Sequence, residues 1–325
     1  MVNCVVTGAQ GSGGSYLTEY ILNLKAQIEV WAPVRWRSNS GELSNSFTGN
    51  LKVVECDLND LSSTIRFLVQ AQPDIVFHLA AHANVRASFD VPLAVYENNT
   101  RSTHNLLEAL RILNLKPRFI LASTSEVYGN VEPSALPIKE TQRLNPVSPY
   151  AASKASQEML ALSYFHSFGI PVVITRMFTY LNPRRNDLFA TAFVKQILDF
   201  KHGKIASIRH GNLSSVRSIL DVRDSSRAYW KAASYCNEGD VYNIGGSTNI
   251  SVGEFLHKLL KLTDVSVDLR EDPNLLRPAD VVLQIPDSQK FRSLTGWSEE
   301  YDLESSIAFL LSEVEKIGKQ RGIPT

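Results

Sequence analysis

The sequence predicts an α/β fold: a doubly wound parallel sheet, followed by a smaller C-terminal α/β domain. In the first half of the chain, short β-branched runs alternate with segments of helical periodicity, which is the pattern of repeated βαβ units. A glycine-rich turn lies between the first run and the first helical segment. After residue 176 the alternation becomes irregular, and a length of 325 residues agrees with about two domains.

The first half is expected to contain six strands and four helices. The predicted strands cover residues 2–6, 28–31, 51–56, 75–79, 119–123 and 171–176, and the predicted helices cover 15–24, 62–70, 99–113 and 149–168. Strands separated by helices in this way form a parallel sheet with right-handed crossovers. Ligands of such sheets bind beyond the carboxyl ends of the strands, so functional residues are expected in the turns that follow them.

The second half contains fewer regular elements. Helices are predicted over residues 189–200, 252–262 and 303–317, and a strand over 241–244. Residues 182–186 are predicted to be a loop, and 272–286 an irregular stretch that contains prolines. We expect some of these segments to return to the sheet of the first half.

Composition and charge exclude several classes of protein. With 44% hydrophobic residues the chain can bury a core, and 33 basic against 33 acidic residues give no basic excess of the kind that nucleic-acid binders carry. Cys4, Cys56 and Cys236 lie far apart, so neither a disulfide framework nor a metal site is expected. No secretory signal or apolar run of membrane-spanning length is seen, so a cytoplasmic location is expected.

The glycine-rich turn has the pattern of a phosphate-binding loop. Gly8, Gly11 and Gly14 fit G-x-x-G-x-x-G between the first strand and the first helix. Glycines there let the backbone approach a diphosphate, and the N-terminus of the helix supplies free N–H groups and a positive dipole end. Because the loop lies within a βαβ unit, it predicts a dinucleotide site and a Rossmann-type domain.

The residues after the second strand indicate which dinucleotide is bound. NAD sites usually place a carboxylate about 20 residues after the glycines, where it bonds the ribose hydroxyls. Here that region contains Arg35 and Arg37 and no acid. Two arginines suit a phosphate on that ribose, so NADP is favoured and NAD stays possible.

Two further pairs follow predicted strands. Asp57 and Leu58 follow the third strand and are placed to hold the adenine. Ala80 and Ala81 follow the fourth strand and are expected to line the path of the cofactor.

A tyrosine and a lysine four residues apart predict proton transfer. Tyr150 and Lys154 share one face of the predicted helix over 149–168. An isolated tyrosine is a poor base at neutral pH, but a neighbouring ammonium favours its phenolate form. Thr124 and Glu126 follow the fifth strand, where a hydroxyl can hold a substrate oxygen and a carboxylate can enter the same pocket.

These motifs together resemble one known family. TGxxGxxG, DL, LAA, STSEVYG, SPYAASK and a late LRP occur in the order typical of extended short-chain dehydrogenases/reductases that modify nucleotide sugars. The likeness is greatest to GDP-mannose 4,6-dehydratases and GDP-4-keto-6-deoxymannose reductases. It implies a dinucleotide-binding domain over residues 1–177, with segments near 214–246 returning to it, and a mainly nucleotide-sugar-binding domain over 178–325.

The resemblance also implies chemical roles. It assigns the hydride-transfer chemistry to Thr124, Tyr150 and Lys154, and the proton-abstracting base of the dehydratases to Glu126. The leading hypothesis is therefore an NADP-dependent 4,6-dehydratase, a lyase that converts a GDP-hexose such as GDP-mannose into a 4-keto-6-deoxy sugar. The alternatives are an NADPH-dependent reductase of such a keto sugar, an NDP-sugar 4-epimerase, and a non-catalytic binding module, which the intact catalytic set disfavours.

The substrate side carries the family's pattern with changes. By resemblance, Arg217 and Arg277 hold the nucleotide diphosphate. Thr179 stands where Asn is usual, and His82 occupies a pocket-lining position that often holds Gln or Lys. Phe193 stands where dehydratases tend to place a phosphate-binding lysine.

Assembly is expected from the same resemblance. Extended members of the family form dimers through two long helices of each subunit, which here correspond to residues 99–113 and 149–168. Related dehydratases also pair through the loop at 35–38, so a homotetramer is a second expectation.

Overall fold

The structure, a computed structural model, describes residues 1–24, 27–35, 50–276 and 278–320. Its main sheet has seven parallel strands in the order β3-β2-β1-β4-β5-β6-β10. These strands are β1 (Val2–Thr7), β2 (Ile28–Val34), β3 (Leu51–Glu55), β4 (Ile75–His78), β5 (Arg118–Thr124), β6 (Val172–Met177) and β10 (Asp240–Ile244). The order reverses between β1 and β4, which confirms the predicted Rossmann-type sheet and places a ligand crevice at their carboxyl ends.

The described residues contain ten α-helices, several of which cover the two faces of this sheet. They are α1 (Ser12–Leu22), α2 (Leu61–Ala71), α3 (Val85–Asp90), α4 (Pro92–Ile112), α5 (Pro149–Phe168), α6 (Phe189–Lys201), α7 (Val222–Tyr235), α8 (Val252–Thr263), α9 (Gln289–Thr295) and α10 (Leu303–Gln320). Successive side chains of a strand point to opposite faces of the sheet, so consecutive residues pack in the cores on its two sides. Phe119 and Leu121 pack with α2, α4 and α5, whereas Ile120 between them packs with α1 and α7.

The second half supplies smaller sheets and its own core. β7 (Tyr180–Leu181), β9 (Val216–Asp221), β11 (Thr248–Ser251) and β13 (Leu283–Gln284) form one sheet, and β8 (Ser207–His210) pairs with β12 (Asp268–Glu271). Apolar faces of α6, α8 and α10 bury the core of this half. β10 pairs in parallel with β6, and α7 packs beside α1, so both return to the first half.

The helix predicted to begin at residue 99 begins earlier. α4 begins at Pro92, a residue favoured in the first turn of a helix because its missing N–H needs no partner there. The first turns of α4 are largely exposed, so they carry no buried apolar stripe that sequence periodicity could detect.

Within the described ranges, every helix is too short or too polar to cross a bilayer. The same residues contain no cluster of three or more His, Cys, Asp or Glu side chains suited to a metal ion. The three cysteines are buried and unpaired.

Candidate active site

A cavity of about 800 Å³ lies at the carboxyl ends of β1, β4, β5 and β6, where the second half of the chain covers the sheet. Its lining brings together most of the sequence-predicted residues from both halves. They are Gly8, Gly11, Gly14, Ala81, Thr124, Glu126, Tyr150, Lys154, Thr179 and Arg217.

The glycine loop presents bare backbone to this cavity. Gly8 has a φ of +70°, a conformation that side chains rarely adopt, and the N–H of Gly11 donates to its carbonyl at 2.8 Å. A Cβ on Gly14 would overlap that same carbonyl, and one on Gly13 would lie 2.8 Å from the hydroxyl of Tyr180. The close approach exposes the N–H groups of the first turn of α1, a donor set that fits the diphosphate of a dinucleotide.

The other cofactor candidates follow β3 and β4. Ala80 abuts Gly8, and its N–H donates to Thr7 Oγ1 at 3.1 Å. Asp57 is exposed and accepts the N–H of Asn59 at 2.9 Å. Of the described residues, Asp57, Leu58 and Ala80 are not part of the cavity lining.

Arg35 and His82 are two exposed candidate residues that interact electrostatically. Arg35 is exposed just after β2, and Arg37 lies outside the described residues. Burial and the nearby guanidinium of Arg35 together lower the pKa of His82. His82 is not among the described residues that line the cavity; its side chain is exposed, and its N–H donates to Asn99 Oδ1 at 2.7 Å.

Helix α5 positions the tyrosine and lysine. Pro149 occupies the first turn, and Ser148 caps the helix by accepting the N–H of Ala151 at 3.1 Å. Tyr150 and Lys154 are 7% and 3% exposed. The ammonium of Lys154 donates to the carbonyl of Ala122 in β5 at 2.7 Å, which fixes the side chain across the carboxyl end of that strand.

Burial dominates the ionisation of both groups. It raises the pKa of Tyr150 to about 12, with a smaller rise from Glu126, while Arg185 and a hydrogen bond with Thr124 act in the opposite direction. Burial also lowers the pKa of Lys154 to about 8, against the opposing effect of Glu158. Lys154 is therefore mostly an ammonium at neutral pH.

Arg185 is a cation of the site that sequence reasoning missed. From the sequence, the ammonium of Lys154 is expected to favour the phenolate form of Tyr150. In the structure, the leading positive charge that lowers the pKa of Tyr150 is Arg185. Its guanidinium donates to the carbonyl of Ala83 at 2.6 Å and to Asp187 at 3.0 Å. The preceding residue, Arg184, instead pairs with Glu19 of α1 at 2.8 Å. The only sequence signal was the pair of arginines in the predicted loop.

The carboxylate of Glu126 enters the cavity from a short 3-10 turn, Ser125–Tyr128, directly after β5. The backbone N–H of Glu126 donates to Thr124 Oγ1 at 3.3 Å. Its Oε1 accepts a hydrogen bond of 3.1 Å from Gln284 Nε2. Gln284 is 3% exposed, lies on β13, and was not singled out by the sequence.

The opposite wall belongs to the second half of the chain. Arg217 on β9 is 8% exposed, donates to the carbonyls of Val216 and Val282, and lies 3.8 Å from Asp280. Phe193 also lines this wall, with its ring packed edge-on against Phe189. The other predicted diphosphate residue, Arg277, lies outside the described residues.

A buried ion pair links α5, the helix that carries Tyr150 and Lys154, to β6. Glu158, one helical turn after Lys154, pairs with Arg176 of β6 at 2.7 Å. Arg176 also donates to the hydroxyl of Tyr128 at 2.9 Å. Because both charges are buried, loss of either partner would leave the other uncompensated next to α5.

One family model and several known proteins match the chain. A sequence model of the GDP-mannose 4,6-dehydratase family matches residues 5–309. The chain is 31% identical to a GDP-6-deoxy-D-mannose reductase of Pseudomonas aeruginosa, over 75% of this chain and 81% of that protein. It is 27% identical to a GDP-mannose 4,6-dehydratase of Yersinia enterocolitica, over 99% and 96% of the two chains. Its fold is similar to that of RMD from Pseudomonas aeruginosa complexed with NADPH, with a TM-score of 0.83 and 25% identity over 97% and 100% of the two chains.

Proposed function

Because the chain belongs to the GDP-mannose 4,6-dehydratase family, we propose that it is an NADP-dependent nucleotide-sugar 4,6-dehydratase. The proposed substrate is a GDP-hexose such as GDP-mannose, and the product is the 4-keto-6-deoxy sugar. The observation that carries the proposal is the carboxylate of Glu126 in the same cavity as Tyr150, Lys154 and Thr124. Such a carboxylate is needed for elimination, in addition to the groups that suffice for hydride transfer.

The cofactor would be held by Gly8, Gly11 and Gly14 at its diphosphate and by Arg35 at its adenosine ribose. When bound, it supplies a hydride acceptor for C4 of the sugar and returns the hydride at C6, so the reaction is redox-neutral. The NADPH complex of the structural relative supports this assignment.

We expect Arg35→Ala to weaken NADP more than NAD. Loss of a charge-assisted contact to a phosphate costs about 1.5–3 kcal/mol, so the dissociation constant for NADP should rise roughly tenfold to a hundredfold. Titration calorimetry of the cofactor-free protein with each dinucleotide measures this directly. Arg101→Ala, at an exposed arginine on α4, is the matched control. Equal affinities for the two dinucleotides, unchanged even in the double variant Arg35→Ala with Arg37→Ala, would contradict the assignment.

Tyr150 is proposed to take the proton of the sugar's 4-hydroxyl. Arg185 and Thr124 favour its phenolate, and they offset part of the effect of burial. Lys154 is an ammonium at neutral pH and adds a positive charge beside β5. Together these groups would assist removal of the hydroxyl proton by Tyr150.

Glu126 is proposed to act at the next two carbons. A ketone at C4 acidifies the hydrogen on C5, and the carboxylate of Glu126 takes that proton. The resulting carboxylic acid gives the proton to the 6-hydroxyl, which leaves as water while the C5–C6 double bond forms. When hydride is added at C6, C5 takes up one proton from solvent and Tyr150 releases one to it, so the net change is loss of water. Because Ser125, rather than a second acid, precedes Glu126, this one carboxylate would have to serve both carbons.

The second candidate is an NADPH-dependent reductase of a GDP-4-keto-6-deoxy sugar. The identity to the Pseudomonas aeruginosa reductase favours it, since Tyr150 could equally donate a proton to a 4-keto oxygen. A 4-epimerase would use the same tyrosine without loss of water.

Mass spectrometry of reactions with GDP-, UDP-, CDP- and dTDP-sugars, without added reduced cofactor, separates these functions. We expect loss of water from a GDP-hexose. Gain of two hydrogens only when NADPH is added would identify a reductase, and an unchanged mass with an inverted C4 would identify an epimerase.

We further propose a homodimer in the cytoplasm, assembled through α4 and α5. Leu93 and Tyr96 of α4 and Met159 of α5 are exposed apolar side chains on these two helices, and the unpaired thiols suit a reducing compartment. A tetramer through residues 35–38 is the second possibility for assembly.

We expect Leu93→Glu with Met159→Glu to convert the dimer to a monomer, because two buried, unpaired charges oppose association. Light scattering at micromolar concentration measures the mass. Leu262→Glu, at a leucine on α8 that is about as exposed as Met159, should leave the dimer intact. A monomeric mass of the unchanged protein would refute the assembly.

A further inference from the structure

We propose that Gln284 is a positioning residue that orients the carboxylate of Glu126 for proton transfer at C5, a role that rests on the proposed dehydratase function. Gln284 Nε2 donates to Glu126 Oε1 at 3.1 Å, although the two residues are 158 positions apart in sequence. The bond crosses the cavity from the second half of the chain to the turn after β5. The catalytic carboxylate is therefore oriented by a different sheet from the one that carries it.

The need for an orienting partner follows from where Glu126 lies. It lies on a four-residue 3-10 turn and is only partly buried, so hydrogen bonds add to the packing that orders its long side chain. One hydrogen bond to Oε1 fixes the plane of the carboxylate. A base must lie within hydrogen-bond reach of the proton it removes, and a displacement of about 1 Å can cost on the order of 10²-fold in rate.

An amide is well suited to this task. Its N–H groups donate but cannot take up the proton that Glu126 removes, so the partner does not compete as a base. Gln284 is 3% exposed, so water has little access to replace it.

The location of Gln284 connects the base to the nucleotide-binding wall. Gln284 pairs in register with Arg217 across the parallel strands β13 and β9. Arg217 also donates to the carbonyl of Val282, two residues before Gln284. The residue proposed to hold the diphosphate and the residue proposed to orient the base thus share one pair of strands.

The test compares Gln284→Leu and Gln284→Glu in the intact enzyme. Leucine removes the donor at similar volume, and water loss should fall on the order of 10²-fold while reduction of the bound cofactor, which does not need Glu126, stays within about threefold. Glutamate places two carboxylates within hydrogen-bond distance, where they share one proton. Its water loss should be slow at neutral pH and should recover as the pH is raised.

The controls separate positioning from a structural effect. GDP affinity by calorimetry should be unchanged in both variants. Gln157→Leu removes another buried amide, outside the cavity, and should lower the melting temperature without changing the ratio of cofactor reduction to water loss.

Two results would overturn the inference, and they differ from failure of the proposed function. Equal losses of cofactor reduction and water loss in Gln284→Leu would indicate a structural role. Full water loss in Gln284→Leu would show that the bond is not needed. If the unchanged enzyme never removes water from any sugar of the panel, the dehydratase function itself is wrong, and the role of Gln284 falls with it.

Discussion

Glu126→Gln is expected to stop the reaction after oxidation at C4. The substitution keeps the size of the side chain and removes its basicity, so Tyr150 can still accept the 4-hydroxyl proton. Water loss should fall roughly 10²–10⁴-fold, which is typical for loss of a general base. Reduced cofactor should therefore accumulate on the enzyme, and stopped-flow absorbance in a single turnover measures it.

The same substitution separates the two leading functions. A reductase moves no C5 proton, so Glu126→Gln would keep most of its turnover on a 4-keto sugar. Glu132→Gln, at an exposed glutamate of the following loop, should behave as the unchanged enzyme. Full NADPH-dependent turnover by Glu126→Gln, together with no water loss by the parent, would reject the dehydratase.

Tyr150→Phe is expected to abolish both partial reactions. Phenylalanine keeps the buried ring and removes only the hydroxyl, so the fold should be retained while the rate of cofactor reduction falls roughly 10²–10⁴-fold. Unlike Glu126→Gln, this variant should accumulate no reduced cofactor, because the block precedes oxidation. Single-turnover absorbance and product mass measure the two steps together.

The control for Tyr150→Phe is Tyr235→Phe, at an exposed tyrosine on α7. It should change neither step. Rapid cofactor reduction by Tyr150→Phe would transfer the proton-accepting role to another group of the cavity, for which the neighbouring Tyr180 is the first candidate.

Local patterns made the main sheet predictable. In β5, side chains alternate between the two faces of the sheet, so Phe119 and Leu121 pack in one core and Ile120 in the other. The phosphate-binding loop is recognised from the spacing of Gly8, Gly11 and Gly14 alone. Tyr150 and Lys154 are one helical turn apart, so their shared face also follows from sequence.

Contacts between distant segments were not predictable. The bond between Gln284 and Glu126 joins an irregular, proline-bearing stretch to a turn far earlier in the chain, and no periodicity signals it. Arg184 and Arg185 are adjacent and chemically identical, yet one pairs with α1 and the other reaches Tyr150. The hydrogen bond from the backbone N–H of His82 to Asn99 likewise joins a loop to a helix that no local pattern connects.

The position of β10 at the edge of the main sheet governs how the chain reaches its native state. Residues 178–239, which include much of the second half's structure, separate β10 from its neighbour β6. Pairing of segments so far apart pays a loop-closure entropy before any contact is gained, which slows folding. Until residue 244 leaves the ribosome, β6 presents an unpaired hydrogen-bonding edge that can recruit other chains. Cleavage after residue 177 would recreate that edge, so the first half is not expected to be stable as an isolated fragment.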